Sequence, residues 1–145
     1  MQLTSSLFTN QSSIPADYTC KGRNISPSLH IEGVPAEAKS LALIMHDPDA
    51  PNGDFTHWVI WNIPPSETDI VEGAAPDTTT EGANDFGTAG YGGPCPPSGT
   101  HRYVFDLYAL DAVVNLPRGS LRTQIEAAMA GHVIEQAQLV GLCSA

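Results

Sequence analysis

Proline and glycine break this chain at short intervals from end to end. Its 12 prolines and 13 glycines are scattered through 145 residues rather than gathered in one tract. Proline removes a backbone donor and glycine admits conformations that other residues avoid, so this spacing marks many short elements joined by turns. The pattern predicts a mainly all-β domain. Three apolar runs read as strands. The run at residues 41–45 is stopped by Asp47-Pro48-Asp49-Ala50-Pro51, so that strand should end near His46 or Asp47, because proline cannot donate to a ladder. Residues 57–63 form a second, rich in aromatic and β-branched side chains and ended by Pro64-Pro65. Residues 102–110 form a third, and His101, Tyr103, Phe105 and Leu107 share one face there by the period of two. Shorter strands fit between the N-terminal turn signals, for example around Leu29-His30-Ile31, and residues 132–143 read as a last strand. One helix is expected over residues 120–130, with Gly131 as its C-terminal cap. No linker or repeat divides the chain, so residues 1–145 are expected to form a single domain.

Charge narrows the partners. Six Lys and Arg residues stand against 16 Asp and Glu residues, for a formal net charge of −10. Nucleic-acid binding needs a basic face that six scattered cations do not supply. Docking on an anionic membrane is disfavoured for the same reason. A small anion held by local hydrogen bonds remains compatible with the balance, because a screened global field falls off quickly. Cys20, Cys95 and Cys143 are odd in number and far apart, with no CxxC pair. This spacing predicts neither a disulfide framework nor a structural zinc site. The first seven residues lack a basic region or an apolar run of signal length. The expectation is a cytoplasmic protein in a reducing compartment.

Two segments carry the chemistry. In the first, residues 47–58, two carboxylates sit on a proline-stiffened turn directly after a buried strand, and His57 follows at the mouth of the next strand. A hairpin-like connection would make Asp47 and His57 neighbours. In the second, residues 90–103, a rigid Gly/Pro loop leads into His101, Arg102 and Tyr103. Alternation sends His101 and Tyr103 to one side and Arg102 to the other. An imidazole and a phenol on one face are good hydrogen-bond partners for an oxyanion.

These segments resemble the two signature motifs of the phosphatidylethanolamine-binding protein family, which includes the Raf kinase inhibitor proteins. The DPDAP motif stands at residues 47–51, and the pattern GPxPPxGxHRY stands at residues 93–103 with Cys95 at its free position. Asn24-Ile25-Ser26-Pro27 also resembles a family segment. The short length resembles the bacterial and archaeal Raf-kinase-inhibitor-like branch. The resemblance implies an antiparallel β-sandwich with one or a few short peripheral helices. It implies a small pocket accepting phosphate, acetate or a phosphoryl head group. By motif position the ligand-binding residues would be Asp47, Pro51, His57, Pro97, His101 and Tyr103. Phe55 would stand where some members carry a rim tryptophan, and the Ala50–Pro51 bond would be a candidate for the cis form. Asp49 is read as a structural partner of Arg102 or of backbone N–H groups, since a buried carboxylate needs such partners. The resemblance implies no cofactor. It also brings in a protein partner such as a kinase or protease, and a homodimer contacting through the segment after Gly131.

Other readings stay open. Asp47, Asp49, His57 and His101 include a two-His, one-carboxylate set that would suit a metal, although the family pattern implies none. Asp47, His57, His101 and Tyr103 could also serve as acid, base and oxyanion donor in a small hydrolase or isomerase. No nucleophile with a motif accompanies them. Cys95 is read as either a reactive thiol or an inert small side chain in a tight loop. His46 should leave the pocket, because neighbours on a strand face opposite sides.

Overall fold

The computed structural model describes all residues 1–145. The fold is mainly β. Strands β1 (Gln2–Thr4), β2 (Ser12–Ser13), β3 (Leu29–Glu32), β4 (Ser40–Asp47) and β5 (Phe55–Ile63) are followed by β6 (Asp69–Ile70), β7 (Thr80–Glu81), β8 (Thr100–Leu110) and β9 (Val133–Ser144). Helix α1 (Arg122–Met129) lies between the last two strands, and a single 3-10 turn spans Ala16–Tyr18. A six-stranded sheet runs in the order β2-β9-β8-β4-β5-β7, and a three-stranded sheet runs β1-β3-β6. Pairing is antiparallel except between β2 and β9.

The large sheet is covered on both faces. One face packs against the small sheet: Leu43, Met45, Trp58, Ile60, Phe105 and Leu107 meet Leu3, Leu29, Ile31 and Ile70 in one apolar cluster. On the other face Ala42, Ile44, Val59 and Trp61 pack against Ile125 and Met129 of α1 and against Val114. Double coverage explains why β4 is a continuous apolar run rather than an alternating one. Seven of its eight residues are buried, with His46 the exception.

The expected strands are present, each longer than its apolar run. β5 begins at Phe55, β8 at Thr100, and α1 is shorter than the expected helix. In the small sheet β3 falls at the strand expected around Leu29-His30-Ile31, whereas β1 and β6 carry too few residues for periodicity to reveal them. All peptide bonds are trans, so the cis form expected at Ala50–Pro51 is not adopted. The turn is held instead by Asp49 N–H donating to Asp47 Oδ1 at 2.8 Å and Gly53 N–H donating to the Ala50 carbonyl at 3.2 Å.

The expectation of no disulfide is overturned. Cys20 and Cys95 are bridged across 75 positions, and Cys143 alone is a free thiol, buried in β9. The pairing is set by docking of two loops. Cys20 N–H donates to the Pro94 carbonyl at 3.0 Å, and Gly93 N–H donates to Asn24 Oδ1 at 2.8 Å. A side chain at residue 93 would collide with that same Asn24 oxygen and with the Tyr18 carbonyl, so glycine there permits the close approach. Cys95 is thereby neither of the free-thiol forms expected from sequence. The bridge also removes the cysteine argument for a reducing compartment. No helix is long and apolar enough to cross a membrane.

Candidate functional site

Asp47 ends β4 and is almost fully buried. Its Oδ2 accepts a hydrogen bond from His101 Nδ1 at 2.6 Å, and its Oδ1 accepts the Asp49 N–H. His101 lies near the start of β8, and Tyr103 follows on the same face, its ring stacked with that imidazole at 6.5 Å between centroids. The Tyr103 ring also stands edge-on to His57 at 5.2 Å. Burial and the nearby Asp47 charge push the Tyr103 phenol far up, so it stays protonated and able to donate.

His57 reaches this face through a break in the sheet. In the β4–β5 ladder Met45 pairs with Trp58, yet His46 pairs with Thr56, leaving His57 as an extra residue on β5. Trp58 belongs to the cluster facing the small sheet and Val59 to the opposite one. Strict alternation would put His57 on the Val59 side. The bulge re-aims it beside Tyr103 instead. His57 Nδ1 donates to the Gly92 carbonyl at 2.6 Å, and Gly92 N–H donates back to the His57 carbonyl at 2.9 Å. This reciprocal pair ties the Gly/Pro loop to β5 and fixes the ring's tautomer. Nε2 has no protein partner and faces the hollow. Burial holds the His57 pKa below its ordinary value, against the opposing pull of the Gly92 carbonyl and the Asp47 charge. At neutral pH the imidazole therefore offers an acceptor.

These groups surround a cavity of about 280 Å³ whose lining includes Asp47, Pro51, His57, Pro97 and Tyr103. His101 stands behind Asp47 rather than in the wall. The lining also includes Asn52, Phe55, Phe86 and the disulfide-bonded Cys95. Phe86 lies outside both motifs, in the turn-rich segment at residues 66–100, and no pattern in the sequence singles it out. No lysine or arginine lines the hollow.

Asp49 and Arg102 form a fork-to-fork pair at the edge of the site. Asp49 Oδ2 accepts from Arg102 Nε at 3.0 Å and from its backbone N–H at 2.9 Å, and Oδ1 accepts from Nη2 at 2.8 Å. These bonds lower the Asp49 pKa to about 2. They join the turn after β4 to the start of β8 and hold the guanidinium away from the hollow. Asp49 and His57 do not converge with Asp47 as a metal set, and no group of three or more His, Cys, Asp or Glu side chains is placed to hold an ion. His46 faces away, as alternation requires, and bonds to Asp54 and Asp106.

Comparison with known proteins agrees with the fold and the motifs. The family model for phosphatidylethanolamine-binding proteins matches residues 4–144. A protein of Methanothermobacter thermautotrophicus is 54% identical over 147 residues, covering 98% of this chain and 97% of the relative. One from Pyrococcus abyssi is 50% identical, covering 98% of this chain and 84% of its own length. Both bear the name UPF0098 protein. A crystal structure of a phosphatidylethanolamine-binding protein homologue from Chlamydia trachomatis superposes with a TM-score of 0.95 at 42% identity, covering 99% of this chain and 97% of that one. Escherichia coli YbcL, described as a member of the mammalian family, superposes with a TM-score of 0.93 at 31% identity over 99% of this chain and 98% of its own. The chain belongs to the phosphatidylethanolamine-binding protein family.

Proposed function

We propose that the hollow binds a small, singly charged oxyacid group, such as a phosphate monoanion, a phosphoryl head group or a carboxylic acid that keeps its proton. The observation that carries this reading is the convergence of Asp47, His57 and Tyr103 on one cavity that contains no lysine or arginine. Asp47 and the neutral His57 Nε2 accept hydrogen bonds, while Tyr103 donates one. A fully ionised phosphate brings only acceptors and would face the Asp47 charge. A protonated phosphate brings an O–H for Asp47 or His57 and an oxygen for Tyr103. His101 orients Asp47 from behind, and the Cys20–Cys95 bridge and the prolines hold the walls. A phosphorylated side chain on a partner kinase or protease would present the same chemistry as a free phosphate or a lipid head group.

Calorimetric titration with inorganic phosphate from about pH 5 to pH 8 tests the proposal. Binding should be strongest at the acid end and weaken as pH rises, because proton loss from the ligand removes the proton it shares with Asp47 or His57. Asp47→Asn and His57→Ala should each weaken binding by about tenfold or more. Affinity that is flat with pH, or unchanged in both variants, would count against the site. Turnover of a phosphoester panel that vanishes in His57→Ala would instead favour the hydrolase reading.

A further inference from the structure

A second hollow, of about 260 Å³, shares no lining residue with the first. Its wall comes from β7, from Trp58 of β5 and from residues 24–26, 73–75 and 89–91. Glu81 is the only charged side chain in that wall.

The protein satisfies Glu81 only in part. Its Oε2 accepts from the buried Trp58 Nε1–H at 3.1 Å. Its Oε1 meets Arg118 Nη1 at 3.5 Å, and that guanidinium side chain is 64% exposed. So long and solvated an ion pair is weak. A carboxylate has about four acceptor sites, so most of this one's capacity is unused. Partnering the indole does not explain the charge either, because an amide oxygen at residue 81 would accept the same bond. Gly90 keeps room beside the group: a Cβ there would come within 3.1 Å of Glu81 Oε2.

Ser26 adds a second open acceptor. The residue is buried, and its carbonyl accepts Gly73 N–H at 2.9 Å. Its hydroxyl has no protein partner and is not sealed from solvent, so it faces the hollow. Two rings complete the wall. Trp58 and Tyr91 stand edge to face at 5.6 Å. The Tyr91 hydroxyl already donates to the Tyr18 carbonyl at 2.6 Å, so what Tyr91 offers a guest is its ring.

We propose that this second hollow binds a small primary amine in its protonated, alkylammonium form. The ammonium donates to Glu81 and to Ser26 Oγ, and the alkyl stem lies against Tyr91. The carboxylate attracts the charge, the ring adds a cation–π contribution, and no lysine or arginine in the wall competes for the site. A small anion does not fit here, because Glu81 would repel it and the wall has no histidine to share a proton. The proposal does not depend on the anion reading of the first hollow.

The test titrates n-butylammonium, n-butanol and tetramethylammonium into the protein at pH 7 by calorimetry. About 0.15 M potassium chloride screens the general pull of a chain with net charge −10. Butylammonium should bind at least about tenfold more tightly than butanol, which lacks the charge, and than tetramethylammonium, which cannot donate. Glu81→Gln keeps an acceptor for Trp58 and should weaken butylammonium binding by about tenfold, and Ser26→Ala by about threefold. Absence of butylammonium binding, butanol or tetramethylammonium binding as tightly, or affinity unchanged in Glu81→Gln would each overturn the proposal. So would a Glu81→Gln variant that lost phosphate affinity as steeply as butylammonium affinity, since the substitution would then be disturbing the fold rather than a separate site.

Discussion

His46 and Asp47 are neighbours on β4, and each makes a His–Asp pair with β8, yet the two pairs have opposite characters. Behind the large sheet His46 Nε2 bonds Asp106 at 2.9 Å and Nδ1 bonds Asp54 at 2.8 Å. Asp106 is further bonded by Gln136 and Gln138, and Asp54 by Arg122. His46, Asp54 and Asp106 each use both of their side-chain polar atoms on protein partners there. In front, Asp47 holds His101, while His57 uses one ring nitrogen on Gly92 and leaves the other to the cavity. The chemistry is similar, so residue type does not distinguish a structural cluster from a binding site. Unfilled hydrogen-bond capacity facing a hollow does.

The two sides also differ in what braces them. The rear cluster is held by its own side chains. The front loops are held from outside by the Cys20–Cys95 bridge. The largest expected effect is therefore on the front. Cys20→Ser with Cys95→Ser should lower stability by about 4 kcal/mol, since the bridge closes a loop of 75 positions, and should weaken phosphate binding as the loop loosens. Unfolding in urea and calorimetry of the double variant check both. Unchanged binding would mean that the hydrogen bonds alone hold the wall.

His46→Ala should cost about 2 kcal/mol, because Asp106 and Asp54 lose a shared partner in a largely buried site. It should leave phosphate affinity within about twofold. His57→Ala should do the reverse, losing affinity by about tenfold with a smaller change in stability. A variant at either position that moved both quantities equally would erase the distinction drawn between the two faces.

Proton linkage gives a finer contrast. Burial pulls the His46 pKa down, but Asp106 and Asp54 outweigh it and the net shift is upward, despite the opposing Arg122 charge. Its stabilisation is complete below the unfolded value of about 6.5 and fades as pH rises through the raised folded value. The downward-shifted His57 has the opposite sign. Its contribution is present above about 6.5 and is lost as pH falls toward the lowered folded value. Melting temperature measured from pH 5 to 8 should thus show a shallower alkaline decline in His46→Gln and a shallower acid decline in His57→Gln. Asp49→Asn should give the smallest effect, a flatter loss of stability between pH 4 and the folded value near 2.

Much of this geometry was legible from residue order. The apolar runs placed β4, β5 and β8, and alternation correctly turned His46 away from Asp47. The proline-rich turns brought together Asp47 and His101, and Asp49 met Arg102. What escaped was non-local. The bulge that turns His57 toward Tyr103 depends on ladder register, which alternation within β5 alone misreads. The disulfide depends on the docking of two loops far apart in the chain, with no spacing motif to announce it. Phe86 depends on Asn84, whose side chain bonds Phe86 N–H, Thr88 N–H and the Gly90 carbonyl only once residues 84–90 fold around it.

Nitrogen-15 spectra of the histidine rings, recorded at pH 6.5 during a phosphate titration, separate the two faces of the sheet. The His57 Nε2 resonance should begin as an unprotonated acceptor and move toward the protonated position as phosphate binds, while the His46 ring nitrogens stay unmoved. A His57 ring that ignores phosphate, or one that shifts in step with His46, would contradict the account.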